Sequence, residues 1–167
     1  IAHVTYKIEQ IDGSYSTSAT TDSAGRIFLD SIPVGSYRIT EKNVPSHVIL
    51  SEIPQEVYLE AGCTRTVTFF NVVKPSLTIL KRNSVTGDPL SNAKFHIYYG
   101  SDNTTTGEIN DLGVFTTDEI GKITLTDVNR GWYKLVEESA PNGFGIQGSG
   151  VTEFYLEANT SKTVTVD

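Results

Sequence analysis

Apolar and polar residues alternate along most of this chain. Val4, Tyr6 and Ile8 are separated by polar neighbours, and the same two-residue period returns at Ile27 and Leu29, Tyr37 and Ile39, Val57 and Leu59, and Val67 and Phe69. It continues at Leu77 and Ile79, Phe95 and Ile97, Ile123 and Leu125, Tyr133 and Leu135, Phe154 and Leu156, and Val164 and Val166. A period of two places such side chains on one face of a β-strand. No segment sustains an apolar stripe at helical spacing over several turns. Gly, Asp, Asn and Ser punctuate the runs, so the pattern predicts short strands joined by turns. The fold class it predicts is all-β, built as Ig-like antiparallel β-sandwiches.

The alternation is written twice. Thr21-Asp22-Ser23-Ala24-Gly25, Gly35-Ser36-Tyr37, Glu41 and Pro45 return as Thr117-Asp118-Glu119-Ile120-Gly121, Gly131-Trp132-Tyr133, Glu137 and Pro141, each 96 positions later. Glu56-Val57-Tyr58-Leu59-Glu60-Ala61 and Thr66-Val67-Thr68 return as Glu153-Phe154-Tyr155-Leu156-Glu157-Ala158 and Thr163-Val164-Thr165, 97 positions later. Tandem repetition divides the chain into modules at 1–73 and 74–167 and points to a structural protein rather than to one-off chemistry. Near the start, Ala2-His3-Val4-Thr5-Tyr6 aligns with Ala93-Lys94-Phe95-His96-Ile97. Asn71-Val72-Val73-Lys74-Pro75-Ser76 reads as the linker, too short for free tumbling, so a semi-rigid pair is expected. The stretch from Gly100 to Gly107 reads as a polar loop.

Charge and composition narrow the classes. A net charge of −7 and a pI near 4.9 argue against nucleic-acid or anionic-membrane partners. The chain is rich in Thr and lacks Met, as suits an extracellular surface, and its apolar runs are too short and interrupted for membrane insertion. Cys63 is the only cysteine, which excludes an intrachain disulfide, and its setting in Ala61-Gly62-Cys63-Thr64 reads as a turn. His3, His47 and His96 are scattered and no nucleophile triad, metal-ligand spacing or phosphate loop appears, so no enzyme, cofactor or metal is expected. His96 reads as a solvated strand residue. Asp102, Glu108 and Asp111 could line a calcium loop, but a polar surface loop is the simpler reading. Asn103-Thr104-Thr105 and Asn159-Thr160-Ser161 match the glycosylation sequon.

Strand parity singles out four polar residues. Lys81 shares a face with Leu77 and Ile79, Glu137 with Tyr133 and Leu135, Glu41 with Tyr37 and Ile39, and Asn71 with Val67 and Phe69. Each is sent towards a core. At a strand end such a group can snorkel to water. Otherwise it must be paired, neutralised or consumed by reaction, because a lone buried charge costs several kcal/mol (roughly 3 to 5).

Leu77-Thr78-Ile79-Leu80-Lys81, Thr86-Gly87-Asp88-Pro89-Leu90-Ser91-Asn92-Ala93-Lys94-Phe95, Thr117-Asp118 with Gly121, Gly131-Trp132-Tyr133 and Glu137-Glu138-Ser139-Ala140-Pro141-Asn142-Gly143-Phe144 stand in an informative order. Together they resemble the SpaA-like, or Cna protein B-type, prealbumin-like domain of Gram-positive stalks and pilins. The resemblance covers 74–167, and residues 1–71 resemble the same domain from its second strand onward. It implies a lysine on the first strand joined to an asparagine on the last by an isopeptide bond, with a buried acid assisting. By resemblance these are Lys81 and Glu137 in the second module, and Glu41 and Asn71 in the first. The function implied is a repeat unit of a Gram-positive cell-surface adhesin or pilin, whose partners are neighbouring modules of the same polypeptide.

Both modules depart from the pattern. Nothing ahead of Ile1 carries a lysine, and Lys7 has the wrong parity. Asn71 plus 97 falls at position 168, one beyond Asp167, whose own parity turns it outward. No intramodule bond is therefore expected within residues 1–167, and the first module's open edge could accept a strand from another chain. An alternative is a ligand-binding adhesin module, in which the outward-facing Trp132 stacks on a host glycan. A weaker one is a polymerised pilin in which Lys74 accepts the next subunit.

Overall fold

The computed structural model describes residues 1–100 and 109–167, which divide into two compact units, Ile1–Val73 and Lys74–Asp167. All regular structure among the described residues is strand.

In the second unit the strands are β7 (Ser76–Lys81), β8 (Lys94–Gly100), β9 (Asn110–Thr116), β10 (Lys122–Leu125), β11 (Gly131–Ser139), β12 (Val151–Leu156) and β13 (Ser161–Val166). They form two sheets, β10-β7-β13 and β12-β11-β8-β9. Leu77 and Ile79 of the first sheet meet Phe95, Ile97, Tyr133, Leu135 and Leu156 of the second in one buried core. The pairing is antiparallel except where β7 meets β13, which run parallel with Ile79 opposite Val164 and Lys81 opposite Val166. All six strands that the alternation predicts in this half are present. The unpredicted β9 is an edge strand whose Asn, Asp and Gly hide its period.

In the first unit β1 (Thr5–Gln10), β2 (Ser16–Thr20), β3 (Gly35–Asn43) and β5 (Gln55–Leu59) form one sheet, β2-β1-β3-β5, while β4 (Val48–Ile49) pairs with β6 (Val72–Val73). Val4, Tyr6, Ile8 and Tyr37 form its core. Two expectations need correction. The segments around Ile27 and Leu29 and around Val67 and Phe69 are not strands. Their counterparts β10 and β13 hydrogen-bond to β7 and not to each other, and residues 1–73 contain no equivalent of β7. Ile27, Leu29 and Phe69 nonetheless pack against the core, so inward parity survives where the ladder does not. The stretch read as linker also contributes, since its Val72 and Val73 pair with Ile49 and Val48.

The repeated motifs have identifiable local causes. Thr117 accepts a hydrogen bond at its hydroxyl from the Ala93 amide (3.0 Å) and donates one to the Leu90 carbonyl (2.8 Å). Asp118 accepts from the amides of Ile120 and Lys122, closing the turn before β10. Gly121, at φ +69°, has no room for a side chain, because a Cβ there would lie 2.6 Å from the Lys81 carbonyl oxygen. In the first unit Thr21 binds the Val4 amide and the Ile1 carbonyl, and Asp22 binds the amides of Ala24 and Arg26. The tyrosine of each Gly-x-Tyr motif reaches back four residues, Tyr133 to the Asn129 carbonyl (2.7 Å) and Tyr37 to the Pro33 carbonyl (2.6 Å).

These bonds correct the alignment of the opening strands. Val4 occupies the place of Ala93, because both amides bind the motif threonine. Tyr6 then corresponds to Phe95, and each lies opposite its unit's glutamate. The equivalence runs two residues away from the match of Ala2–Tyr6 with Ala93–Ile97.

Candidate crosslinking site

In the second unit the site joins the ends of β7 and β11. Lys81 is fixed by backbone bonds from its amide to the Gly121 carbonyl (2.8 Å) and from the Leu90 amide to its own carbonyl (3.0 Å). Strand parity then points its side chain inward beside Leu77 and Ile79, where its accessibility falls to 1%. Glu137 comes in from β11, opposite Phe95. Lys81 Nζ lies 3.2 Å from Glu137 Oε2. The strand-end alternative, in which the groups snorkel to water, is not what these two residues do. Glu137 Oε1 is buried with no hydrogen-bond partner among the described residues. An unmatched carboxylate oxygen inside a core is costly, and here it leaves one acceptor unused beside a lysine already in place.

The first unit holds the complementary pieces. Glu41, equally buried, accepts at Oε1 from Asn71 Nδ2 (2.6 Å) and from the Tyr6 hydroxyl (3.1 Å), and at Oε2 from the Ser51 amide (2.6 Å). The amide donor that Glu137 lacks is therefore what Glu41 has. Neither lysine of this unit reaches the acid: Lys7 pairs with Glu9 on the outer face, and Lys42 is exposed.

Tyr6 and Ser51 escaped the sequence reading. Burial, followed by the hydrogen bond to Glu41, pushes the Tyr6 hydroxyl above its ordinary pKa and keeps it a donor. Its ring lies 4.7 Å from that of Phe69. The available signal was a tyrosine at the position that Phe95 occupies in the second unit, obscured by the misaligned opening strand.

The remaining candidates lie elsewhere. Trp132 is on the outer face of β11 and packs edge-on against Tyr155 at 5.6 Å. His96 faces outward on β8, as expected, and is held there by two acids: its Nε2 lies 2.6 Å from Asp111 and its Nδ1 2.9 Å from Glu138. Both ring nitrogens thus face carboxylates, which raises its pKa, Asp111 contributing most. Asp111 therefore serves histidine, while Asp102, Glu108 and the sequon at Asn103 lie outside the described residues. No His, Cys, Asp and Glu cluster among the described residues could hold a metal ion, and no helix is long and apolar enough to cross a membrane. Cys63 is exposed in its turn.

A family profile described as SpaA, prealbumin-like fold domain, matches residues 1–72 and again 75–167. The chain belongs to this family. Its two SpaA domains share their fold with solved pilin structures. A mutant of the shaft pilin SpaA from Lactobacillus rhamnosus GG is 18% identical at a TM-score of 0.52, over 99% of this chain and 87% of that one. The Bacillus anthracis TIE protein is 23% identical at a TM-score of 0.51, over 99% of this chain; the chain spans only 30% of the TIE protein's length. GBS52, the minor pilin of the Gram-positive pathogen Streptococcus agalactiae, is 19% identical at a TM-score of 0.44, over 99% of this chain and 82% of that one. No curated protein matches significantly.

Proposed function

We propose that the two SpaA domains are stalk modules of a Gram-positive cell-surface adhesin or pilin, each locked by an amide bond between a first-strand lysine and a last-strand asparagine. The reading makes them structural units whose partners are neighbouring modules of the same polypeptide. One observation carries it: the same acid stands in both units, holding the amine at 3.2 Å in one and the carboxamide at 2.6 Å in the other.

The chemistry follows from these groups. The lysine must attack as the free amine. Nζ attacks Cγ of the asparagine, a C–N bond forms, and the carbonyl electrons move to Oδ1. The glutamate takes a proton from the attacking nitrogen and delivers one to the leaving nitrogen. The carbonyl re-forms, the old C–N bond breaks and ammonia departs, with the acid regenerated. Phe95, Tyr133 and Leu135, each about fully buried, keep water from the centre. Amine and carboxamide become secondary amide and ammonia, without external reagent. On the chain-entropy model, closing a loop of this length stabilises by roughly 4 to 5 kcal/mol.

The test is the denatured intact mass of this chain lengthened by an asparagine directly after Asp167, beside its Glu137→Ala variant. The lengthened parent is expected to lose one ammonia and the variant none. Full mass in both would leave Lys81 and Glu137 as an ordinary buried ion pair and remove the self-locking reading.

A further inference from the structure

The loop that follows β11 carries a side chain and a backbone nitrogen that can react with each other. Residues 142–149 are exposed throughout. The Phe144 amide donates to the Pro141 carbonyl (3.0 Å), closing a turn whose two central residues are Asn142 and Gly143. Gly143 sits at φ +88°, and nothing lies within 4 Å of where its Cβ would be. Among the described residues neither the Asn142 carboxamide nor the Gly143 amide makes a hydrogen bond. Every other asparagine of the chain precedes a residue with a side chain, which screens the backbone nitrogen beyond it. Asn142 alone precedes a glycine, whose nitrogen is open and whose backbone turns freely.

We propose that Asn142 is a self-modification site, converted in the folded protein through a cyclic imide with Gly143 to aspartate and isoaspartate. The Gly143 nitrogen gives its proton to solvent base and attacks Asn142 Cγ, so that a C–N bond forms and the carbonyl electrons move to Oδ1. They return as the bond from Cγ to Nδ2 breaks, and Nδ2 takes up a proton and leaves as ammonia. The Gly143 nitrogen is then bonded both to Cγ and to the main-chain carbonyl carbon of Asn142. Water opens this ring: attack at Cγ gives aspartate, and attack at the main-chain carbonyl gives isoaspartate, whose backbone is longer by one methylene. Ammonia is exchanged for water, and nothing is oxidised or reduced.

Two comparisons within the chain sharpen the assignment. Asp12-Gly13 offers a similar glycine, at φ +78°. Its carboxylate, however, accepts from the Ser14 amide (2.9 Å) and hydroxyl (2.7 Å), bonds that hold it below its ordinary pKa and keep it a poor target for attack. At the place of Asn142 the first domain has Ser46, 96 positions earlier, whose side chain has no carbonyl. The second domain alone would therefore acquire a new negative charge here. Its loop is anchored by the Glu137 amide on the Gly150 carbonyl (2.7 Å) and by Gln147 Nε2 on Ser84 Oγ (2.7 Å). An added methylene falls in the exposed part of the loop and leaves Glu137 in place.

The site is independent of the Lys–Asn reading but shares its leaving group. The cyclic imide lowers the mass by one ammonia, as the crosslink would. It forms equally in Glu137→Ala and is absent from Asn142→Gln, the reverse of what the crosslink does.

The experiment incubates the whole chain in mildly alkaline and mildly acidic buffer, beside its Asn142→Gln variant and a synthetic peptide with the sequence of residues 139–146. Peptide mapping and enzymatic methylation of isoaspartate read the products. Glutamine keeps the carboxamide but moves it one methylene away, which disfavours ring closure. Exchange of ammonia for water is expected at Asn142 and at no other asparagine, with isoaspartate detected, faster in the alkaline buffer, and lost in the variant. An unchanged Asn142 in the chain overturns the proposal, and conversion of the peptide alone would trace that failure to the folded turn. Equal conversion at other asparagines, or isoaspartate that persists in Asn142→Gln, overturns it as well.

Discussion

The two SpaA domains differ most where their chemistry is most alike. Around Glu137 the structure has the amine, a complete three-stranded sheet and an unmatched carboxylate oxygen. Around Glu41 it has the carboxamide, a satisfied carboxylate and two segments without their ladder. The contrast separates two roles that coincide in β7 of the second domain. The central strand brings the lysine, and the same strand converts its flanks into a sheet. The acid, by contrast, is placed by β3 or β11 and needs neither.

The largest expected effect bears on the Lys81–Glu137 pair. Glu137→Ala leaves a buried ammonium without partner and should cost about 3 to 5 kcal/mol, whereas replacing both residues together by Met and Leu should be near neutral or stabilising. Denaturant unfolding of the three proteins measures this, and equal losses in both variants would show the pair to be solvent-relaxed.

A second measurement asks whether the missing ladder matters. Amide hydrogen exchange should be fast at residues 26–30 and 64–71 and markedly slower at 122–125 and 161–166, because only the latter amides share β7. Comparable protection in both sets would mean that the first domain's flanks are held by something other than a central strand.

Exchanging the two aromatics sharpens the comparison at one atom. Tyr6→Phe removes a donor to a buried carboxylate and should cost about 1 to 3 kcal/mol. Phe95→Tyr, which offers Glu137 Oε1 a hydroxyl, should cost little or stabilise. Thermal unfolding of each domain's transition reads both, and a loss in each would show that the two sites are not equivalent in geometry.

The smallest effect lies on the second domain's outer face. The His96 pKa is raised above its ordinary 6.5, chiefly by Asp111, so its contribution is full below 6.5 and is lost as pH rises through the folded value. Asp111 is lowered from 3.8, chiefly by His96, so its share is lost as pH falls through its folded value. Protection at β9 should therefore be greatest between these limits and fall on either side of them, and an imidazole titration at 6.5 or below would remove the clasp.

Much of this was legible from alternation alone. The parity of Lys81, Glu137 and Glu41 follows from counting by two along strands whose apolar residues mark the buried face, and that of Asn71 from the same count along Val67 and Phe69, which keep the alternation without forming a strand. Illegible were the edge strands β2 and β9, whose Ser, Thr, Asn and Gly contribute pairing but no period. The segments at Ile27 and Val67 misled in the opposite direction: their composition is that of strands, but a strand also needs a neighbour. Tyr6 was missed because its correspondence with Phe95 depends on hydrogen bonds from the Val4 and Ala93 amides to the motif threonines, which sequence spacing does not encode.

The parallel pairing of β7 with β13 sets how the second domain would meet a pull. Because the two strands run the same way, a force entering at Ser76 and leaving at Val166 acts along them in opposite directions. The ladder is then loaded in shear, so its rungs resist together instead of opening one after another like a zip. Lys81 stands beside Val166, at the outgoing end. A covalent tie there would take up the extension across the whole length of β7 and leave the rest of the domain slack.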